Sequence, residues 1–292
     1  MKIGLFSPFS NPIATPEYLS ILGPGAEERG FHALWAAEHV VLFDEYGSRY
    51  PYSEDGRIPV GGDTGFLDPF AALNFLAAGT SRIRLGTGIC LVPQRNPVYT
   101  AKEVATLDWL SNGRVDFGVG VGWLAEEFEA VGAAFARRGA RCREYLAVMQ
   151  TLWRDATSGY SGEFYTLPGC RQYPKPVQAP HPPIWFGGES EAALRRVADL
   201  GQGWYGFNLD PESAEERIKR LEELLRERGR SLGEIEVAIS PYLKPIEPSA
   251  LARYREAGVD QVVVLGFAEN SDALLRTLDE TAERWVVPAQ RL

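Results

Sequence analysis

The chain has 292 residues, 45% hydrophobic and 24% charged, and its 39 acidic side chains outnumber 30 basic ones to give a formal net charge of −9. That is the composition of an ordinary soluble protein long enough to bury its own core, and its acidity argues against a nucleic-acid or anionic-membrane partner, which needs concentrated lysine and arginine. Three cysteines without a C-x-x-C spacing indicate neither a disulfide framework nor a cysteine metal site, and no apolar run approaches a membrane span, so the chain reads as cytoplasmic.

The N-terminal M-K-I-G-L-F-S reads as a strand, Lys2 to Ser7, rather than a signal peptide. A helix starts at Thr15 or Pro16 and stops at Gly30, and a second strand, Ala33 to Ala37, ends in Glu38-His39. Residues 40–65 hold three tyrosines, five glycines and two prolines without a sustained period, which describes a long loop that covers or binds something. Asp68-Pro69 opens a helix to about Thr80, Arg82 to Ile89 is the third strand, and Pro97 to Leu110 is the next helix. Asn112-Gly113 turns into a fourth strand that begins at Arg114 and runs into Gly118, Gly120, Gly122 and Trp123.

Two helical stretches follow, separated by the basic run Arg137, Arg138, Arg141, Arg143. An irregular insertion, about 154–182, carries a hairpin at G-E-F-Y-T-L and the proline-rich Y-P-K-P-V-Q-A-P. Four strand-helix pairs then resume: Pro183–Phe186 with Ser190–Leu200, Gly203–Phe207 with Pro211–Arg228, Glu234–Ile239 with Pro248–Ala257, and Asp260–Leu265 with Ser271–Arg284. Eight strand-helix units predict a (β/α)8 TIM barrel in one domain spanning 1–292, with an open doubly wound sheet as the alternative.

In a barrel the chemistry sits at the C-terminal strand tips. Here these are Ser7-Pro8-Phe9, Glu38-His39, Thr87-Gly88-Ile89, Gly120-Val121-Gly122-Trp123, Gly187-Gly188-Glu189-Ser190, Trp204 to Phe207, Ser240-Pro241 and Gly266-Phe267. Small residues and aromatics dominate, while repeated carboxylates, a histidine cluster and a nucleophile elbow are missing, so a metal or a hydrolytic triad has little support. Alternating glycines at a strand end mean that another backbone, or a flat ligand, lies close against that face. Gly187-Gly188-Glu189-Ser190, between a strand and a helix, is either a capped glycine turn or a phosphate site at a helix N-terminus. Of three histidines, His39 alone stands at a strand tip, where it is the candidate for proton handling, with Glu38 either orienting it or bonding elsewhere.

In order along the chain, M-K-I-G-L-F, W-A-A-E-H, R-I-R-L-G-T-G-I-C-L-V-P-Q-R-N-P, G-R-V-D-F-G-V-G-V-G-W, P-P-I-W-F-G-G and A-D-L-G-Q-G-W resemble the bacterial-luciferase-like superfamily of flavin and deazaflavin oxidoreductases. The likeness is strongest to its coenzyme F-420-dependent branch. It implies a barrel that holds a tricyclic ring against Ser7, Thr87, Gly88, Ile89, Gly120 and Trp123, with a non-proline cis peptide at Gly88-Ile89. Phosphate contacts map to Val121-Gly122 and to Gly187-Gly188 with Glu189, and the second tip's histidine maps to His39. Homodimers built on the helices after the second and third strands are also implied. The sugar-phosphate dehydrogenases of this family carry a glutamate where this chain has Trp123, which points away from glucose-6-phosphate and toward an apolar or aromatic substrate.

The expected activity is hydride transfer between coenzyme F-420 and a small organic substrate, with residues 40–65 as lid and the basic run meeting the cofactor's acidic tail or forming a solvated charge cluster. One alternative is an FMN-dependent monooxygenase fed by a flavin reductase. A second is a non-catalytic binding protein on the same fold.

Overall fold

The structure, a computed structural model, describes every residue except Pro8, so that member of the first strand tip lies outside the described residues. Its strands are β1 (Lys2–Ser7), β2 (Ala33–Ala36), β3 (Arg84–Thr87), β4 (Val115–Val119), β5 (Ser158–Ser161), β6 (Thr166–Cys170), β7 (Ile184–Gly187), β8 (Gly203–Phe207), β9 (Glu236–Ser240) and β10 (Gln261–Leu265). The main helices are α1 (Pro16–Glu28), α2 (Pro69–Ala78), α3 (Pro97–Leu110), α4 (Ala125–Ala130), α5 (Arg138–Arg154), α6 (Glu191–Leu200), α7 (Pro211–Arg226), α8 (Ala250–Glu256) and α9 (Ser271–Thr281). Thr15, Asp68, Asn96, Ser190, Asp210 and Asn270 each cap a helix by accepting a backbone N–H, a contact worth ~1 kcal/mol apiece.

All strands but β5 and β6 form a closed parallel barrel in the order β1-β10-β9-β8-β7-β4-β3-β2, which excludes the open sheet. Closure is made by β1, whose Lys2 pairs with Gln261 on one side and whose Gly4 pairs with Ala33 on the other. Side chains facing outward form one core against the helices; those facing inward form another around Phe6, Trp35, Trp185, Tyr205 and Val263. The inner core fits because glycines face its two tryptophans: a Cβ on Gly86 would lie 2.4 Å from the Trp35 ring, and one on Gly203 2.2 Å from Trp185.

Several element ends differ from the sequence expectation, each for a local reason. The third strand begins two residues later than predicted, because the N–H groups of Ser81, Arg82 and Ile83 bond to Glu27 at 2.6–2.9 Å instead of a neighbouring strand. It ends at Thr87; the Gly88–Ile89 peptide that follows is cis, and Cys90 keeps one parallel bridge to Val119 of β4. The expected hairpin in the insertion is present, with G-E-F-Y as its turn between β5 and β6, where the N–H groups of Glu163, Phe164 and Tyr165 go to Glu144 of α5. Before β9, Leu232–Glu234 makes a 3-10 turn closed by Ser231 and Glu234. The last predicted helix stops at Thr281 and continues as a π turn over Ala282–Val286.

Candidate active site

The C-terminal strand ends enclose a cavity of about 910 Å³, roofed by residues 40–65. Its floor is the segment after β3. Thr87 Oγ1 donates to Gly118 O at 2.6 Å, Cys90 N to Gly118 O at 2.8 Å and Gly120 N to Cys90 O at 2.9 Å, which pins the departing chain across the end of β4. A Cβ on Gly118 would sit 1.8 Å from the Thr87 carbonyl oxygen, and one on Gly120 would sit 1.9 Å from Ile89 Cδ1. Gly187 faces Ile89 as well, at 2.8 Å. The glycine-rich end of β4 therefore makes room for protein, and its contribution to the cavity is to seat Ile89 as the floor.

Of the residues singled out in the sequence, Ser7, Glu38, His39, Gly88, Ile89, Val121, Gly122, Trp123, Gly187, Gly188 and Glu189 line the cavity, whereas Thr87 and Gly120 lie behind that floor. Glu38 and His39, adjacent in sequence, point to different partners. Glu38 is buried, accepts Leu91 N at 2.5 Å and pairs with Arg95 at 2.7 Å, so it fixes the chain just beyond Ile89. Arg95 in turn reaches Glu103 and Asp68.

The carboxylate beside His39 is Glu127 of α4, 3.2 Å from Nδ1 and fully buried. Glu127 also accepts Val40 N at 2.6 Å and Gln94 Nε2 at 2.9 Å. Burial opposes its charge, but the bonds from His39, Gln94 and Val40 outweigh burial and hold the carboxyl below its usual range. An ionised Glu127 accepts from Nδ1–H, which leaves Nε2 of His39 for the cavity.

The loop over the cavity is fastened by glutamates. Glu126 accepts Gly47 N at 2.7 Å, and Ser48 Oγ accepts Ala125 N at 3.0 Å. Tyr52 donates to Glu189 Oε2 at 3.0 Å, while Glu189 Oε1 accepts Phe207 N at 2.7 Å. Trp123 is the aromatic hub under the loop, edge-on to His39, Tyr46 and Tyr50 at 5.3–5.8 Å.

The basic run is divided by the fold. Arg137 pairs with Glu163 on the surface, and buried Arg141 donates to the carbonyls of Pro93, Ala134 and Ala136. Arg143 is exposed. Arg138 lines the cavity, its Nε on Gly122 O at 3.0 Å and its guanidinium stacked on Phe135 at 3.8 Å. Beside it stands Arg196 of α6, which sequence reading missed; burial and the nearby arginines pull both guanidinium groups below their ordinary values. These two cations and the N-terminus of α6 mark one end of the cavity for an anion. Among the described residues no group of three metal-ligating side chains occurs.

A planar cofactor with a phosphate chain fits these features: an apolar floor, glycine-bordered walls and, at one end, two cations, Arg138 and Arg196, that form no ion pair among the described residues. The model of the luciferase-like monooxygenase family matches residues 1–281. An uncharacterised protein of Mycobacterium tuberculosis is 36% identical over 240 residues, covering 82% of this chain and 83% of its own length. An F-420-dependent secondary alcohol dehydrogenase in complex with an F-420–acetone adduct superposes with a TM-score of 0.77 at 18% identity, covering 99% of this chain and 98% of the other. A monooxygenase of Streptomyces bottropensis does so at 0.76 and 23% identity, covering 98% and 99%.

Proposed function

The chain belongs to the luciferase-like monooxygenase family, and we propose that it is an oxidoreductase transferring a hydride between coenzyme F-420 and a small apolar or aromatic organic substrate. The observation that carries this reading is the cavity itself. Its floor is shaped by Ile89, its roof is aromatic, and its cationic end suits a ring with a phosphate chain rather than an isolated apolar ligand. When bound, the deazaflavin supplies a two-electron hydride carrier without oxygen chemistry. Gly88 and Ile89 would lie beneath the ring, while Gly187, Gly188, Arg138 and Arg196 would hold the phosphate. His39, oriented by Glu127, presents Nε2 to the ring, and the closed loop with Trp123 excludes water.

The alternative, a reduced-FMN monooxygenase supplied by a reductase, uses the same cavity, and the likeness to the Streptomyces monooxygenase favours it. Titrating the purified protein with F-420 and, separately, with FMN decides between them by ring absorbance and fluorescence. Tight binding of F-420 alone is the expected result. A preference for FMN supports the monooxygenase, and binding of neither leaves a non-catalytic protein.

Homodimerisation is part of the same proposal. Phe75 on α2, Tyr99, Trp109 and Leu110 on α3, and Tyr173 are 46–74% exposed, and a dimer built on these helices would cover them. Sedimentation should give a dimer that Trp109→Glu dissociates; a monomeric wild-type chain at micromolar concentration overturns this point.

A further inference from the structure

Glu189 differs from the other carboxyls at this cavity. It follows the glycine pair at the end of β7, and its two oxygens meet backbone N–H groups, that of Phe207 and its own, and one phenol, from Tyr52. The titratable groups facing this pair are phenols: Tyr50 from the loop, with Tyr242 bonded behind it, and Tyr205 from β8. Among the described residues no lysine, arginine or histidine forms an ion pair with Glu189. Burial therefore raises its carboxyl to about 7, and the bonds from Phe207, Tyr52 and its own backbone N–H offset only part of that rise. Burial, then the neighbouring Glu189, drives the Tyr52 phenol well above its ordinary value, so it stays protonated near neutral pH. Tyr52 lines the roof of the cavity, opposite the floor where Ile89 lies, and packs edge-on against Phe207 at 5.0 Å. Tyr205, whose hydroxyl is turned toward Ser240, lies in the adjoining wall.

We propose that Tyr52 and Glu189 are the proton-transfer pair of this cavity, and that the substrate is an alcohol or the matching carbonyl compound, whose oxygen loses or gains a proton as its carbon exchanges a hydride. The inference rests on the hydride-transfer reading above. In the oxidation direction the substrate C–H bond breaks and its electron pair leaves with the hydrogen as hydride, taken up by the bound cofactor. The substrate O–H proton passes to the Tyr52 oxygen as the Tyr52 proton passes to the Glu189 carboxylate, and the C=O bond forms. The carbon has lost two electrons, the cofactor has gained two, and Glu189 holds the proton until it is released to water. Reduction of the carbonyl runs the same steps backward and needs Glu189 protonated. A carboxyl that titrates near neutrality serves both directions, whereas one held ionised by an arginine is a weak base for oxidation and holds no proton for reduction. His39 stands at the end of β2, three strands around the barrel from β7, and its Nδ1 is already committed to Glu127.

The test uses the F-420-loaded protein with a panel of alcohols and their ketones or aldehydes, followed by ring absorbance across pH. At least one pair is expected to turn over, with oxidation rising through an apparent pKa near 7. Glu189→Gln and Tyr52→Phe should each lower kcat about 100-fold or more, Glu189→Gln should flatten the pH profile, and Tyr52→Phe should keep F-420 affinity within about threefold. Turnover of no alcohol or carbonyl compound, or variants that keep the wild-type rate and profile, overturns the pair. Failure of the wild type to bind F-420 is a separate result, against the cofactor. For that case an infrared pH titration of the cofactor-free protein reads Glu189 directly. A carboxyl titrating near 7 and absent from Glu189→Gln is expected, and its absence from the wild type overturns the pair regardless of cofactor.

Discussion

On the β2 side of the cavity, Glu38 and Glu127 are surrounded by donors: Arg95 and a backbone N–H for the first, and His39, Gln94 and another N–H for the second. On the β7 side, Glu189 has a phenol and backbone N–H groups only. All three are glutamates beside the cavity, two at strand tips and one on α4, so residue type does not separate them; the charge of their donors does. A carboxylate given an arginine or a histidine is a fastener, and here the two fasteners hold the floor segment and the roof loop. A largely desolvated carboxyl given neither is left close to its titration point, where it can exchange a proton.

The largest expected effect breaks the fastened side. Glu38→Ala removes the acceptor of Leu91 N–H and the innermost partner of Arg95, leaving a buried donor and a partly compensated buried cation. A loss of ~3–5 kcal/mol in urea unfolding is expected, because removing one partner of a buried pair exposes the desolvation cost of the other. Glu38→Gln, which keeps an acceptor for Leu91, should lose less. If Glu38→Ala unfolds within ~1 kcal/mol of wild type, Glu38 is not a fastener and the contrast between the two sides fails.

The sequence showed the barrel, the strand tips and the glycine pattern, because alternation of strand and helix is written locally in period and caps. It did not show which surface those glycines serve. Gly118 and Gly120 read equally well as room for a ligand or for backbone, and only the path of Thr87 to Ile89 across the end of β4 decides for the protein. Glu127 was missed for a related reason. It is 88 positions from His39 and meets it only once α4 folds back over the β2 tip. A local signal did exist: two consecutive glutamates open a short helix just after the fourth strand tip, and both accept N–H groups from the 40–65 loop. Tyr52 sits in the loop itself, where no period ranks one tyrosine above another. Arg196 occupies a helix position indistinguishable in sequence from that of Arg195, which pairs with Glu191 on the outer surface.

The other side of the comparison predicts a smaller effect with a definite sign. Glu189 titrates at about 7 in the folded chain, against an ordinary value of 4.5, so the folded state binds this proton more tightly than the unfolded state does. Its contribution is fully present below about pH 4.5 and is lost as pH rises through 7. Glu127, held below its ordinary range, has the opposite sign and loses its contribution as pH falls. Glu189→Gln cannot ionise, and its amide can still accept from Phe207 N–H and meet Tyr52. It should therefore gain ~2 kcal/mol on wild type between pH 5 and pH 8, measured as the change in the difference between their urea unfolding free energies. An unchanged difference would mean that Glu189 is ionised throughout, like Glu127 across the cavity, and that the two sides differ in geometry but not in chemistry.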